Sequence, residues 1–266
     1  MRKKAGEEPV KDPRSGKDFV ASLEKGLEVL GCFGRQHAKL TLSEVARLTG
    51  ATPASARRSL STLHVLGYLD SDGKRFWVAP RVLLLAHAYL TSRPTPGLAQ
   101  PLLDALSERT RQSASLGKLV GQDVIIVARS TARRSLSTGL GIGSRLPVYC
   151  SALGRVLLAS LPPAEAERRV RAMDRPALTR TTIHDVAGVL AQVDRCRREG
   201  WIGADGELEL GVRSMAVPVF DRSGATVAGL SISVRAERMS MVEFRDAFLG
   251  QLVKARDTLA QRLHAE

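Results

Sequence analysis

Two adjacent arginines, Arg57 and Arg58, lie in the segment GATPASARRSLSTLHVLGYL, which spans residues 50–69. A guanidinium group donates hydrogen bonds in a planar fork that matches a guanine edge or a pair of phosphate oxygens. The residues around the two arginines are small or hydroxylated, so this surface can approach a polyanion closely. A solvated surface helix whose arginines have no partner is the alternative interpretation, and the neighbouring elements must decide between the two.

The segment has the periodicity of a helix with one buried face. Pro53 can start this helix, and Ala56, Leu60 and Leu63 recur at helical spacing along one stripe. At 100° per residue, the opposite side is small, hydroxylated and cationic. Ala54, Arg58, Ser61 and Thr62 lie on that side, and Ser55 and Arg57 flank it.

A second short helix is predicted just before this one. TLSEVARLTG, residues 41–50, offers Thr41 or Ser43 as its N-cap and Gly50 as its terminator. Two short helices joined by a tight turn form a helix-turn-helix pattern. An earlier amphipathic segment, residues 19–34, predicts a further helix that completes the domain.

A basic hairpin is predicted directly after the two helices. YLDSDGKRFWVAP, residues 68–80, has two short strands around Asp72-Gly73, a dipeptide typical of hairpin turns. This order is the winged-helix arrangement, and it favours a DNA partner over a solvated helix face. We expect Lys74 and Arg75 in the wing to lie near a phosphate backbone or minor groove. The predicted DNA-binding residues are Thr41, Ser43, Thr52, Ala54, Ser55, Arg57, Arg58, Ser61, Thr62, Lys74 and Arg75.

The rest of the chain predicts a connector and an α+β domain. Residues 80–92 are apolar enough to predict a helix that packs against a second subunit, and RPTPGLAQP, residues 93–101, predicts a break at the domain boundary. Helices and strands follow from residue 102. The last elements are two alternating strands at 212–220 and 225–234 and an amphipathic C-terminal helix.

Two hydroxyl groups are expected on one face of the last strand. Ser231 and Ser233 alternate with apolar residues, so their side chains project from the same side of a sheet. A pair of hydroxyls on an otherwise apolar strand suits hydrogen bonds to a small acid, although a solvated sheet face would give the same pattern. The helix predicted after RLPVY, residues 145–149, adds backbone N–H groups of the kind that bind carboxylates.

Composition limits the classes of partner. The 266 residues are long enough for two domains, and the net charge of +13 suits a phosphate-bearing partner or an anionic ligand. Residues 1–80 hold 14 basic and 9 acidic residues, so charge by itself does not locate a DNA-binding half. Three scattered cysteines, a charged start and the lack of a long apolar run predict a cytoplasmic protein without a membrane span.

No pattern predicts catalysis. The loop GLGIGS, residues 139–144, lacks the strand–turn–helix context of a nucleotide-binding loop, and the five histidines have no metal-ligand spacing. Ser151 in CSALG does not lie in a nucleophile elbow. We therefore expect no metal, no cofactor and no enzymatic activity.

Four long segments carry a family resemblance: SLEKGLEVLGCFG, LTLSEVARLTGATPASARRSLSTLHVLGYL, SRLPVYCSALGRVLLA and GVRSMAVPVFDRSGATVAGLSISV. In this order they resemble the IclR-type transcriptional regulators over residues 19–264. DFVASLEKGLEVL and FWVAPRVLLLAHAYLTS look like the PcaR/PcaU/PobR branch, which controls breakdown of aromatic acids by the β-ketoadipate route.

The residue pattern and the resemblance together imply an α+β fold with four parts. These are a disordered arm at 1–18, an N-terminal winged helix-turn-helix domain at 19–79, a linker helix at 80–95 and a C-terminal GAF-like effector-binding domain at 96–266. The resemblance also implies homodimers that pair into tetramers.

The resemblance also implies a ligand pocket built from three places: a helix start, the acidic stretch after Gly-Trp and a pair of strands. The matching effector-binding residues are Ser151, Ala152, Leu153, Asp205, Glu207, Ser214, Ser231 and Ser233. Ser214 stands where many relatives have cysteine, and the stretch ADGELE lacks the paired acids with which it often begins. These departures imply a different ligand or a shifted contact.

The resulting hypothesis is a DNA-binding transcriptional regulator that senses a small organic acid and changes promoter occupancy. Protocatechuate, 4-hydroxybenzoate and β-ketoadipate are the expected kinds of effector. The expected partners are double-stranded operator DNA, the acid and further copies of the chain, without a membrane. A ligand-independent, oligomeric DNA-binding scaffold is the alternative.

Overall fold

The structure, a computed structural model, describes residue 14 and residues 16–34, 36–131 and 139–265. The predicted disordered arm at 1–18 lies for the most part outside the described residues. The chain divides into two compact units, Met1–Tyr89 and Leu90–Glu266, each with its own core.

Three helices form most of the N-terminal unit: α1 (Ala21–Gly31), α2 (Leu42–Thr49) and α3 (Pro53–Val65). Thr41 and Glu44 form a capping box at the start of α2. Thr41 Oγ1 accepts a hydrogen bond from Glu44 N at 3.3 Å, and Glu44 Oε2 accepts one from Thr41 N at 2.7 Å. The two bonds satisfy backbone donors that have no partner within the helix.

The turn between α2 and α3 has the chemistry that the sequence predicts. Gly50 ends α2 in the left-handed region at φ 64°, where a side chain would be strained. Thr52 caps α3 by accepting a hydrogen bond from Ser55 N at 3.2 Å, and Pro53 takes the first helical position, where no N–H is needed. The helix-turn-helix prediction is confirmed.

A small antiparallel sheet forms the wing. It contains β1 (Leu40–Thr41), β2 (Leu69–Ser71) and β3 (Arg75–Val78) in the order β1-β3-β2. In the turn between β2 and β3, Asp72 Oδ1 accepts hydrogen bonds from Lys74 N at 2.9 Å and Arg75 N at 2.7 Å. The predicted winged-helix arrangement is therefore present.

The helix α4 (Val82–Ser92) buries none of its residues in the chain. Its apolar side chains Leu83, Leu84 and Leu85 are 68%, 63% and 50% exposed, respectively. Within the described residues, no helix combines the length and apolar character that a membrane span requires.

The break predicted at 93–101 is confined to Arg93, because α4 ends at Ser92 and the helix α5 runs from Pro94 to Thr110. Its first turn needs no backbone donors, so a proline there costs nothing, whereas Pro101 within the helix costs about 3 kcal/mol. Leu103 and Leu106 are fully buried. Burial of each stabilises by about 1.5–3 kcal/mol, which offsets the cost of the proline.

The C-terminal unit is built on a six-stranded antiparallel sheet with the order β6-β5-β4-β9-β8-β7. The strands are β4 (Ser113–Val120), β5 (Asp123–Ser130), β6 (Arg145–Pro147), β7 (Ile202–Asp205), β8 (Val212–Phe220) and β9 (Thr226–Arg235). The two last strands lie within a residue of their predicted positions, because β-branched and apolar residues with partial alternation are a strand signal.

Helices cover both faces of this sheet and create two apolar cores. The helices α6 (Ala152–Ala159), α7 (Pro163–Ala172) and α8 (Val186–Glu199) contribute to one core, and α5 and α9 (Met241–His264) contribute to the other. The predicted α+β class is confirmed. Since β9 alternates, its apolar residues enter the α5/α9 core and its serines face the α6 side.

Candidate functional site

Two rows of polar residues cross the α6 face of the sheet. Ser115 on β4 pairs with Arg129 on β5 and with Ser231 on β9, which gives a first row across three strands. Ser233 on β9 pairs with Ser214 on β8 and begins a second row one step along the strands. Adjacent strands lie about 4.8 Å apart, so the two rows form a hydroxyl-rich surface about as wide as a small molecule.

The helix α6 lies close above this surface because of glycines. Gly117 and Gly229 are register partners, and a Cβ at Gly229 would lie 2.9 Å from a methyl group of Leu153. A Cβ at Gly154 would lie 2.1 Å from the carbonyl oxygen of Val148. Only hydrogen fits at Gly154 beside the Val148 backbone, and a Cβ at Gly229 would displace the Leu153 side chain, so the two glycines allow close packing around the first turn of α6.

A cavity of about 590 Å³, partly open to solvent, lies between the first turn of α6 and the serine rows. Apolar side chains from the sheet and the 204–212 region complete the wall. Seven of the eight predicted effector-binding residues line the cavity: Ser151, Ala152, Leu153, Glu207, Ser214, Ser231 and Ser233.

Ser151 acts as the N-cap of α6. Its Oγ accepts a hydrogen bond from Gly154 N at 3.1 Å and donates one to Pro147 O at 2.7 Å. The hydroxyl is therefore already engaged in capping. The backbone N–H groups at the start of α6 have no acceptor within the helix and remain suited to a ligand oxygen.

Glu207 lines the cavity but belongs to a buried ion pair. Arg155 on α6 donates to both of its carboxylate oxygens at 2.6 Å, and the side chains of Arg155 and Glu207 are 0% and 6% exposed. Ile183 N donates to Glu207 Oε2 at 3.0 Å, and Arg155 Nε donates to Tyr149 O at 2.9 Å. The pair therefore ties α6 to the 206–207 loop and neutralises the carboxylate.

Burial affects the two cysteines beside this region. It raises the pKa of the Cys150 thiol to about 11, and it raises the pKa of the Cys196 thiol to about 12. Both thiols are therefore protonated near neutral pH and behave as small apolar groups.

The predicted DNA-binding face of α3 lies on the surface of the N-terminal unit. Arg57 and Arg58 are exposed, and no acidic side chain pairs with either one in the part of the chain that the structure describes. Ala54, Ser61 and Thr62 are exposed beside them, and Ser55 is partly exposed.

The wing and the start of α2 contribute further predicted residues. Lys74 and Arg75 are exposed in the wing, and Arg75 is the register partner of Thr41. Thr41 is the N-cap of α2, so Ser43 is not, and the exposed Ser43 hydroxyl is not needed for capping. Thr52 likewise caps α3, so the hydroxyls of Thr41 and Thr52 have structural roles.

Family models match both units of the chain. The model described as the IclR helix-turn-helix domain matches residues 22–73, and the model described as the C-terminal part of the bacterial transcriptional regulator IclR matches residues 87–261. The chain belongs to the IclR family. It is therefore a transcriptional regulator rather than an enzyme, and its helix-turn-helix domain binds DNA.

Two curated relatives resemble this IclR-family protein over most of its length. The Pca regulon regulatory protein of Pseudomonas putida is 38% identical over 92% of this chain and 85% of the relative. The p-hydroxybenzoate hydroxylase transcriptional activator of Acinetobacter baylyi is 35% identical over 84% of both.

Solved structures agree with the fold. A transcriptional regulator from Rhodococcus sp. RHA1 is 40% identical, covers 92% of this chain and 98% of its own, and superposes with a TM-score of 0.76. The inducer-binding domain of the PobR transcription factor from Acinetobacter, a double mutant in complex with 3-hydroxybenzoic acid, is 30% identical. It covers 62% of this chain and 97% of its own, with a TM-score of 0.59.

One predicted effector-binding residue of this IclR-family chain does not line the cavity. Asp205 is exposed, and one of its carboxylate oxygens lies 3.0 Å from Arg213 Nε. Its neighbour Ala204 faces the cavity, so alternation along β7 directs Asp205 to the other side. The prediction that Asp205 belongs to the pocket is wrong for this reason.

One cavity residue, Arg129, escaped the sequence-based prediction. A β-bulge explains this, since Leu116 pairs with Ala128 while Gly117 pairs with Ile126, which leaves Val127 as an extra residue on β5. Strict alternation from the cavity-facing Ile126 would turn Arg129 away, whereas the bulge returns it to the cavity face. A lone arginine in the apolar run VIIVARS was the available signal.

Proposed function

We propose that this IclR-family regulator binds a small organic acid of aromatic catabolism in the C-terminal cavity and thereby changes its occupancy of operator DNA. The hydroxyl-lined cavity beneath the start of α6 is the observation that carries the proposal. Protocatechuate, 4-hydroxybenzoate and β-ketoadipate are the candidate effectors.

The chemistry of the cavity supports an acid ligand. The serine rows and the N–H groups at the start of α6 supply hydrogen-bond donors, and the apolar walls suit the faces of a ring. The regulators at 38% and 35% identity are named for the Pca regulon and for p-hydroxybenzoate hydroxylase. The related PobR domain has been solved with 3-hydroxybenzoic acid, which supports a hydroxybenzoate-sized ligand.

The DNA contact is proposed to be made by α3 and the wing. Arg57 and Arg58 present guanidinium forks on a face of small side chains, which allows close approach to a major groove. Lys74 and Arg75 in the wing supply cations for the phosphate backbone.

Homodimers that pair into tetramers are part of the proposal. The exposed leucines 83–85 on α4 are too apolar to remain in water as a group, and a second copy of the chain is the occupant that we propose. Two copies would also present two α3 helices to two half-sites. A ligand that binds one quaternary arrangement more tightly than another would shift DNA affinity.

Calorimetric titration of the full chain with each of the three acids tests the ligand class. We expect saturable binding of at least one acid and a change in operator affinity at the same concentration. If none of the three binds, the aromatic-acid class is overturned. Operator affinity that no metabolite changes would instead favour the ligand-independent scaffold.

An Arg58→Ala variant tests the DNA face, with Arg222→Ala as a matched control on an exposed turn of the C-terminal unit. If Arg58 reads a base, its loss is expected to cost about 1–3 kcal/mol for the cognate operator and to relax specificity. If Arg58 contacts only phosphate, the variant loses the same affinity for every operator sequence, and its affinity depends less steeply on salt concentration. An unchanged operator affinity for the Arg58→Ala variant would remove Arg58 from the interface.

A further inference from the structure

We propose that Arg129 binds the carboxylate of the effector, at the sheet side of the cavity rather than at the N-terminus of α6. This inference rests on the proposed function and names the group that would select for an acid. It assigns a role to a residue that strict alternation along β5 would place on the other face of the sheet.

The charges in the cavity wall single out Arg129. Within the described residues, the charged side chains that line the cavity are Arg129, Glu207 and Glu209. Glu209 is exposed to solvent, and Glu207 is neutralised by Arg155. Arg129 is the cation of this wall, and no acidic side chain pairs with it in the described ranges. An anionic ligand that enters the cavity therefore finds one complementary charge.

The guanidinium of Arg129 is held in place but incompletely satisfied. Its Nη1 donates to Ser115 Oγ at 2.6 Å, while its buried Nε has no acceptor among the described residues. The backbone is held as well, since Gln100 on α5 donates from Nε2 to Arg129 O at 3.1 Å. A guanidinium has five donors in a planar fork, so donors remain for a carboxylate.

Burial of the Arg129 guanidinium favours the binding of an anion. Removal of water from the guanidinium lowers its pKa from the ordinary arginine value, which means that the cation is held in an unfavourable environment. A carboxylate in the cavity would offset that cost by pairing with the guanidinium charge.

The start of α6 is the weaker carboxylate site. The Ser151 hydroxyl is already engaged by Gly154 N and Pro147 O, so only neutral backbone N–H groups remain there. A full positive charge attracts a carboxylate more strongly than the partial charge at a helix end. We assign the hydroxyl groups of the ligand to the α6 end and to Ser214.

The test compares an acid with a neutral analogue of the same shape. Binding of 4-hydroxybenzoate and of 4-hydroxybenzamide to the full chain is measured by calorimetry for the wild type, Arg129→Met and Arg129→Lys. If the wild type binds another of the three acids instead, that acid and its amide are used. The control is Arg145→Met, because Arg145 is an exposed cation of the same unit that pairs with Asp123 outside this cavity.

Loss of charge-assisted hydrogen bonds predicts that Arg129→Met binds the acid about 10- to 150-fold more weakly. The affinity for the amide changes by less than about threefold, because the amide carries no charge for the guanidinium to pair with. Arg129→Lys retains the positive charge but not the planar fork of donors. Its affinity for the acid is therefore expected to lie between those of the wild type and Arg129→Met. Arg145→Met binds both ligands like the wild type.

Three results would overturn the assignment. One is an Arg129→Met variant that keeps the acid affinity of the wild type, which would place the carboxylate elsewhere. The second is equal loss of acid and amide affinity, and the third is a ligand-free thermal midpoint far below that of the wild type, either of which would make Arg129 a structural residue. Failure of the proposed function looks different, because the wild type itself would then bind none of the acids.

Discussion

Replacement of Arg155 by methionine is expected to destabilise the C-terminal unit strongly. Methionine approximates the aliphatic length of arginine but leaves the Glu207 carboxylate buried without its counter-ion. Three hydrogen bonds are lost, two to Glu207 and one to Tyr149 O. Removal of one partner from a buried ion pair costs about 3–5 kcal/mol, because the remaining charge stays desolvated.

A double variant, Arg155→Met with Glu207→Gln, separates the buried charge from the lost packing. The side-chain amide that replaces the carboxylate would be neutral, and its oxygen can still accept the hydrogen bond that Ile183 N donates to Glu207 Oε2 at 3.0 Å. We therefore expect the double variant to recover roughly 1–3 kcal/mol of the loss in the single variant.

Thermal unfolding followed by the fluorescence of Trp201 reports on the C-terminal unit, provided that Trp77 of the N-terminal unit is replaced by phenylalanine in every variant. For a unit of 150–250 residues, 1 kcal/mol shifts the midpoint by about 2–4 °C, so the single variant should lose roughly 6–20 °C. A loss below about 1 kcal/mol, or a double variant no more stable than the single one, would refute the claim that Glu207 depends on Arg155 for its charge balance.

Two other predictions concern burial. Burial raises the pKa of Cys150 to about 11 and that of Cys196 to about 12. Both thiols therefore stabilise the folded state fully below their unfolded-state pKa of about 8.5 and progressively less above it. The free energy of unfolding, measured by urea denaturation, should fall between about pH 8.5 and 11 more steeply in the wild type than in a Cys150→Ala/Cys196→Ala variant, and equal slopes would contradict this. Gly154→Ala should destabilise by about 1–3 kcal/mol because its Cβ would meet Val148 O at 2.1 Å. The control Gly250→Ala, in open space on α9, should stabilise by up to about 1 kcal/mol in the same thermal scans, and two variants of equal stability would argue against a close approach of α6.

Local signals made the N-terminal unit predictable. The signals in this unit involve only residues that are a few positions apart. They are the capping residue Thr41, the left-handed Gly50, the Thr52-Pro53 helix start and the turn at Asp72. Their geometry depends little on distant parts of the chain, so the helix-turn-helix and the wing follow from residue order. The same holds for the alternating strands β8 and β9, in which one face is buried throughout.

Long-range packing decided the features that the prediction missed. The start of α5 at Pro94 depends on apolar burial against the sheet and α9, which outweighs the local preference of RPTPGLAQP for a loop. The role of Arg155 depends on a partner 52 positions away, so no local pattern distinguishes it from a surface arginine.

The amino-acid sequence by itself determined the class of molecule: a winged helix followed by an α+β domain with paired serines on one face of its last strand. Only the tertiary structure decided which charges face the cavity. One extra residue in β5 turns Arg129 inward, and alternation in β7 turns Asp205 outward. The physical reason is that the face on which a strand residue lies depends on its register with a neighbouring strand, and register is set by pairing across the sheet rather than along the chain.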